Sequence, residues 1–146
     1  MRITLIILAF LGLLLSACTK DPTIQPVEPV AIQKGVEYQI FTETDFSMRW
    51  WDKDAPVTIR LLIGKISLND GAATTLFDST FNDFTLGQIP LLPNQISIKK
   101  SFPIIEEKEK LTVRWASSVG DPWRSNSGSI ADLEKGETST LVRIEF

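Results

Sequence analysis

The 146 residues include no histidine and a single cysteine, Cys18. Without imidazole the usual general base is missing, and with it the Ser-His-Asp arrangement and histidine metal sites. No glycine-rich phosphate loop is present. Carboxylates, lysines, hydroxyls and one tyrosine remain to do chemistry. Asp52-Lys53-Asp54 and Glu106-Glu107 are the obvious acid pairs, and glycoside hydrolysis needs two carboxylates about 5–9 Å apart across a cleft. Both pairs lie in turn-like stretches, so they read as solvated turn residues. Asp70, Asp78 and Asp83 carry oxygens that suit calcium, but their spacing does not match the familiar calcium loop. No catalytic residue, metal site or cofactor is expected.

Binding is better served by the aromatic residues. Trp50 and Trp51 are adjacent, and neighbours on a strand point to opposite faces. If Trp50 shares a core face with Phe46 and Met48, Trp51 lies on the other face and needs cover from a loop, a partner protein or a sugar. Trp123-Arg124 falls in the polar segment 118–128, where Gly120 and Pro122 predict a loop. A loop tryptophan beside an arginine has the composition of a binding hot spot, and such rings also stack on sugars. Trp51, Trp123 and Arg124 are therefore the candidate ligand-binding residues, with packing within the fold as the competing role.

The start of the chain gives an address. Arg2 is followed by a mostly apolar run from Ile3 to Leu15 and then by the small residues Ser16 and Ala17. Thirteen residues rise only about 20 Å as a helix, short of a hydrocarbon core of about 30 Å. This is a signal peptide over residues 1–17. Leu15-Ser16-Ala17-Cys18 resembles a bacterial lipobox. The resemblance implies that Cys18 becomes the first mature residue and carries lipid, which removes the only thiol from catalysis and metal binding. Thr19-Lys20-Asp21 is similar to part of the surface-export signal of Bacteroidetes lipoproteins, although Pro22 stands where a second acid is expected. Thr19 in place of an aspartate directly after the cysteine implies the outer membrane. The periplasmic and cell-surface faces both stay open.

Loss of Arg2 leaves fourteen basic against eighteen acidic residues, a formal charge of about −4 for the mature chain. That acidity argues against a nucleic-acid partner, which needs a concentrated basic surface. It also excludes attachment to anionic lipid through a basic patch, so the membrane is held through acyl chains on Cys18. Residues 18–34 contain Pro22, Pro26 and Pro29 without periodicity. They read as an extended tether, with a first edge strand through Ile24, Val27, Val30 and Ile32 as the alternative.

Residues 35–146 have the length of one domain. Alternation with period two dominates. The even positions Val36, Tyr38, Ile40, Phe46, Met48 and Trp50 are apolar, which reads as a half-buried strand or a pair of strands with a break near Glu43 to Asp45. Val57, Ile59, Leu61 and Ile63 alternate, and the parity flips after Gly64 to Ile66 and Leu68, as at a β-bulge. Asn69-Asp70-Gly71 predicts a turn. Further strands run through Thr75 to Phe81, Ile96 to Phe102, Leu111 to Trp115 and Val142 to Phe146. The charged run 106–110 reads as a turn. The expected fold is all-β, a single antiparallel β-sandwich. Leu111-Thr112-Val113-Arg114-Trp115 resembles a central strand of immunoglobulin-like and fibronectin-like domains, and 131–137 resembles their turn into a late strand. The chain lacks the cysteine pair of true immunoglobulin domains. A closed outer-membrane barrel needs more regular strands of about ten residues than the chain supplies. These features together predict a non-catalytic envelope lipoprotein that binds another envelope protein, with a carbohydrate-binding or adhesive module as the alternative.

Overall fold

The computed structural model describes residues 28–50, 52–120, 125–130 and 133–146. These form seven strands: β1 (Ile32–Phe41), β2 (Pro56–Ser67), β3 (Ala73–Thr85), β4 (Ile96–Ile104), β5 (Glu109–Val119), β6 (Ser125–Ile130) and β7 (Ser139–Glu145). A three-stranded sheet has the order β4-β1-β7, and a four-stranded sheet the order β3-β2-β5-β6. Among the described residues no helix is long and apolar enough to cross a membrane.

Alternation builds one core from both sheets. Val36, Tyr38 and Ile40 of β1, with Val142 and Ile144 of β7, are buried in the same cluster as Val57, Ile59, Leu61 and Ile63 of β2 and Leu111 and Val113 of β5. The Tyr38 hydroxyl donates to the carbonyl oxygens of Leu62 (3.2 Å) and Arg114 (3.4 Å), which pair in register across β2 and β5. At one flank the Lys100 ammonium of β4 stands 4.7 Å from the centre of the Phe77 ring of β3, so an edge lysine helps close the gap between the sheets.

The parity flip after Gly64 corresponds to a register shift between β2 and β3 at Ile63/Gly64. A Cβ on Gly64 would lie 3.1 Å from the Thr74 carbonyl oxygen and 3.2 Å from Thr112 Oγ1, so the bulge and the lack of a side chain go together. Gly71, with φ +72°, completes the turn into β3.

Four expectations need correction. The fold is not antiparallel throughout, because β7 runs parallel to β1, with Gly35 opposite Ser139 and Phe41 opposite Glu145. β6 ends where β1 begins, so a chain that turns there and changes sheet must start β7 in the same direction as β1. Next, β1 begins at Ile32, inside the segment assigned to the tether, and it is the middle strand of its sheet instead of an edge. The segment 118–128 is not all loop either, since β5 reaches Val119 and β6 starts at Ser125. Ser-Asn-Ser-Gly-Ser-Ile carries no apolar alternation, and this edge strand is defined by its ladder to β5.

The fourth correction concerns the run Val36 to Trp50. The alternation leaves the sheet after Phe41, and Phe46–Met48 form a 3-10 turn capped by Asp45. Phe46 packs on the core, but Met48 and Trp50 are 83% and 77% exposed.

Gly128 faces Trp115 in the β5–β6 register. A Cβ there would approach the indole to 2.5 Å at Nε1 and 2.7 Å at Cε2, so the ring occupies the space a side chain would take. Gly128→Val is expected to displace the indole and cost about 1–3 kcal/mol. Urea unfolding followed by tryptophan emission measures this, and an unchanged midpoint would contradict the close approach.

Candidate functional site

Strand directions sort the connections into two ends. β1 enters at the end that carries the turns 68–72 and 105–108 and residues 133–138. Among the described residues the far end carries 42–50, 52–55, 86–95 and Gly120. With β1 ten residues long, the ends stand about 33 Å apart at about 3.3 Å per residue.

At the far end the loops hold one another. The N–H of Gly87 donates to the Lys53 carbonyl (2.9 Å), that of Leu86 to Ala55 (2.9 Å), that of Thr42 to Pro90 (3.0 Å) and that of Gly120 to Pro56 (2.8 Å). The buried Thr42 hydroxyl donates to the Phe146 carbonyl at 2.8 Å. Within the 42–55 loop, the Asp45 carboxylate accepts from the Ser47 N–H (3.0 Å) and hydroxyl (2.5 Å). The Arg49 N–H donates to Phe46, and the Asp52 and Lys53 N–H groups both donate to the Arg49 carbonyl. The Arg49 guanidinium stands 5.4 Å from the centre of the Phe46 ring. Phe46 thus anchors the loop while Met48 and Trp50 project, and the exposed Leu91 and Leu92 lie on the neighbouring loop at the same end.

The entry end carries charge in a structural arrangement. Lys34, 1% exposed, lies 2.8 Å from Glu106 Oε1 and donates to the Glu134 carbonyl at 2.8 Å. The same Glu106 oxygen accepts from the Gly136 N–H at 2.8 Å. The Lys34 ammonium, aided by that N–H, holds the Glu106 carboxyl below its ordinary range. Beside it, Lys65 Nζ lies 2.6 Å from Glu109 Oε1 and lowers that carboxyl as well. A depression of about 470 Å³ opens here between Leu68, Leu133 and these charges. The Lys34 contacts to Glu106 and to the Glu134 carbonyl tie the turns 105–108 and 133–137 to β1.

Cys18, Trp51, Trp123 and Arg124 lie outside the described residues. Of the described residues, Trp50, Asp52, Gly120 and Ser125 stand at the far end. Asp52-Lys53-Asp54 occupies a turn there, and Glu106-Glu107 occupies a turn at the entry end. Asp78 makes a two-pronged ion pair with Arg60, at 3.0 Å and 2.6 Å, and Asp70 caps the β2–β3 turn through the Ala72 N–H. Among the described residues no group of three His, Cys, Asp or Glu side chains is placed to hold a metal ion. Met48 and Trp50 are site candidates that the alternation concealed. The turn-forming run Thr42-Glu43-Thr44-Asp45 before them, with Asp45 two residues ahead of Ser47, was the available signal of a break.

In comparisons with known proteins the chain matches no family model, no curated protein and no solved structure.

Proposed function

We propose that this chain is a non-catalytic envelope lipoprotein, anchored in the outer membrane through lipid on Cys18, whose immunoglobulin-like β-sandwich binds another envelope protein. The observation that carries the reading is the exposure of Met48 and Trp50 at the end opposite the one where the chain enters β1. A domain held through its N-terminus presents that far end away from the membrane. Support for the sandwich comes from the two sheets' common core and from the Tyr38 hydroxyl reaching across it. The exposed Trp50 ring also fits a glycan-stacking module, which is the second reading.

Mass spectrometry of the mature protein tests the anchor. A di- or triacylated N-terminal Cys18 is expected, and Cys18→Ser should accumulate as unprocessed precursor. An unmodified cysteine, or cleavage elsewhere, would remove the basis for the location.

A further inference from the structure

We infer that Met48 and Trp50, in the loop between β1 and β2, form the docking surface, and that they take a protein surface with an apolar cleft rimmed by lysine and arginine. This rests on the reading of the domain as a protein-binding lipoprotein and adds the place and the partner's chemistry. Three features of the loop carry it.

First, Met48 and Trp50 are both large, both more than three-quarters exposed and only two residues apart, whereas Phe46 beside them packs on the core. Methionine and tryptophan are among the side chains enriched at protein interfaces. Second, the described residues of the loop are held by backbone hydrogen bonds. Hydrogen bonds run within it on both sides of Trp50, and Leu86 and Gly87 hold its return leg. A surface already ordered loses less entropy on binding. Third, the loop that carries the apolar pair is acidic in sequence. Between positions 43 and 54 stand Glu43, Asp45, Asp52 and Asp54 against Arg49 and Lys53, a net charge of −2. The Arg49 guanidinium is also drawn toward the Phe46 ring.

The same features argue against a lipid occupant. Anionic lipid would be repelled by the carboxylates. A basic-rimmed cleft answers both the apolar pair and the charge.

The test is site-specific photocrosslinking of the full lipoprotein in its own membranes. A benzophenone amino acid replaces Met48 in one strain and Asn69, in the turn at the entry end, in another. The expected result is an adduct from position 48 whose sequenced partner peptide carries apolar residues flanked by Lys or Arg. Trp50→Ala should lower its yield about 30-fold, as for a hot-spot residue, and raising NaCl from about 0.05 M to about 0.5 M should lower it several-fold by screening. Adducts to glycan or lipid, to an acidic peptide, or equally from positions 48 and 69 would overturn the inference. Protein adducts from position 69 alone would leave the protein-binding reading standing and refute this surface. No adduct from either position would refute both.

Discussion

Tyr38→Ala is expected to lower stability by about 3–5 kcal/mol, the loss typical of deleting a fully buried ring and leaving a cavity. Against a total of about 5–15 kcal/mol for a domain of ordinary stability, that is a large share. Tyr38 is 0% exposed and heads the largest fully buried side chains. It sits on β1, the middle strand of the smaller sheet, and its hydroxyl reaches the paired Leu62 and Arg114 carbonyls of the other. Burial raises the pKa of this phenol, so the neutral donor is the species present throughout the physiological range. Tyr38→Phe keeps the ring and removes the donor, which should cost about 1 kcal/mol. Denaturant unfolding of both variants separates the contributions. A phenylalanine variant as unstable as the alanine variant would mean that the polar tie, not the ring, joins the sheets.

The core was legible because apolar residues alternate over Val36–Ile40 of β1, Val57–Ile63 of β2, Leu111–Trp115 of β5 and Val142–Ile144 of β7, and a one-residue slip would turn each set out to water. The bulge at Gly64 was legible for the same reason. β6 was not, since Ser125–Ile130 has no apolar period and depends on pairing with β5, a non-local fact. The parallel placement of β7 also depends on where β6 ends in space. Alternation is a statement about faces, and it carries no information on which neighbour a strand selects.

The site was less legible than the core. Phe46, Met48 and Trp50 preserve the parity of Val36, Tyr38 and Ile40, so the period-two pattern resumes after Thr42 and Thr44 in a segment that has left the sheet. Only Phe46 turns inward there. Polar turn residues between Thr42 and Asp45 outweigh that parity, because the Asp45 carboxylate captures the Ser47 N–H and closes a local turn. Trp50 therefore moves from the expected core to the surface. Lys34 makes the opposite move: assigned to the tether by sequence, it is buried in β1, because a carboxylate 72 positions further along the chain waits for it.

Lys34→Met should produce a second large loss, and one with a pH signature. The substitution retains volume but strips a nearly buried cation from Glu106, and breaking one partner of such a pair is more harmful than replacing both. An unfolding midpoint several degrees lower at neutral pH is expected, with Lys34→Met/Glu106→Gln recovering part of it. Below neutrality the sign follows from the Glu106 carboxyl, which Lys34 holds beneath its ordinary value of 4.5. Between that value and the lower folded one the unfolded chain binds more protons, so stability rises with pH. The contribution is complete above about 4.5 and is lost as pH falls through the folded value. The gap between wild type and Lys34→Met should therefore be widest near neutrality and narrow in acid. Glu109 and Asp78, likewise lowered by Lys65 and Arg60, titrate in both proteins and cancel from the difference. Thermal melts across the acid range check this, and a gap independent of pH would assign the loss to packing instead of the ion pair.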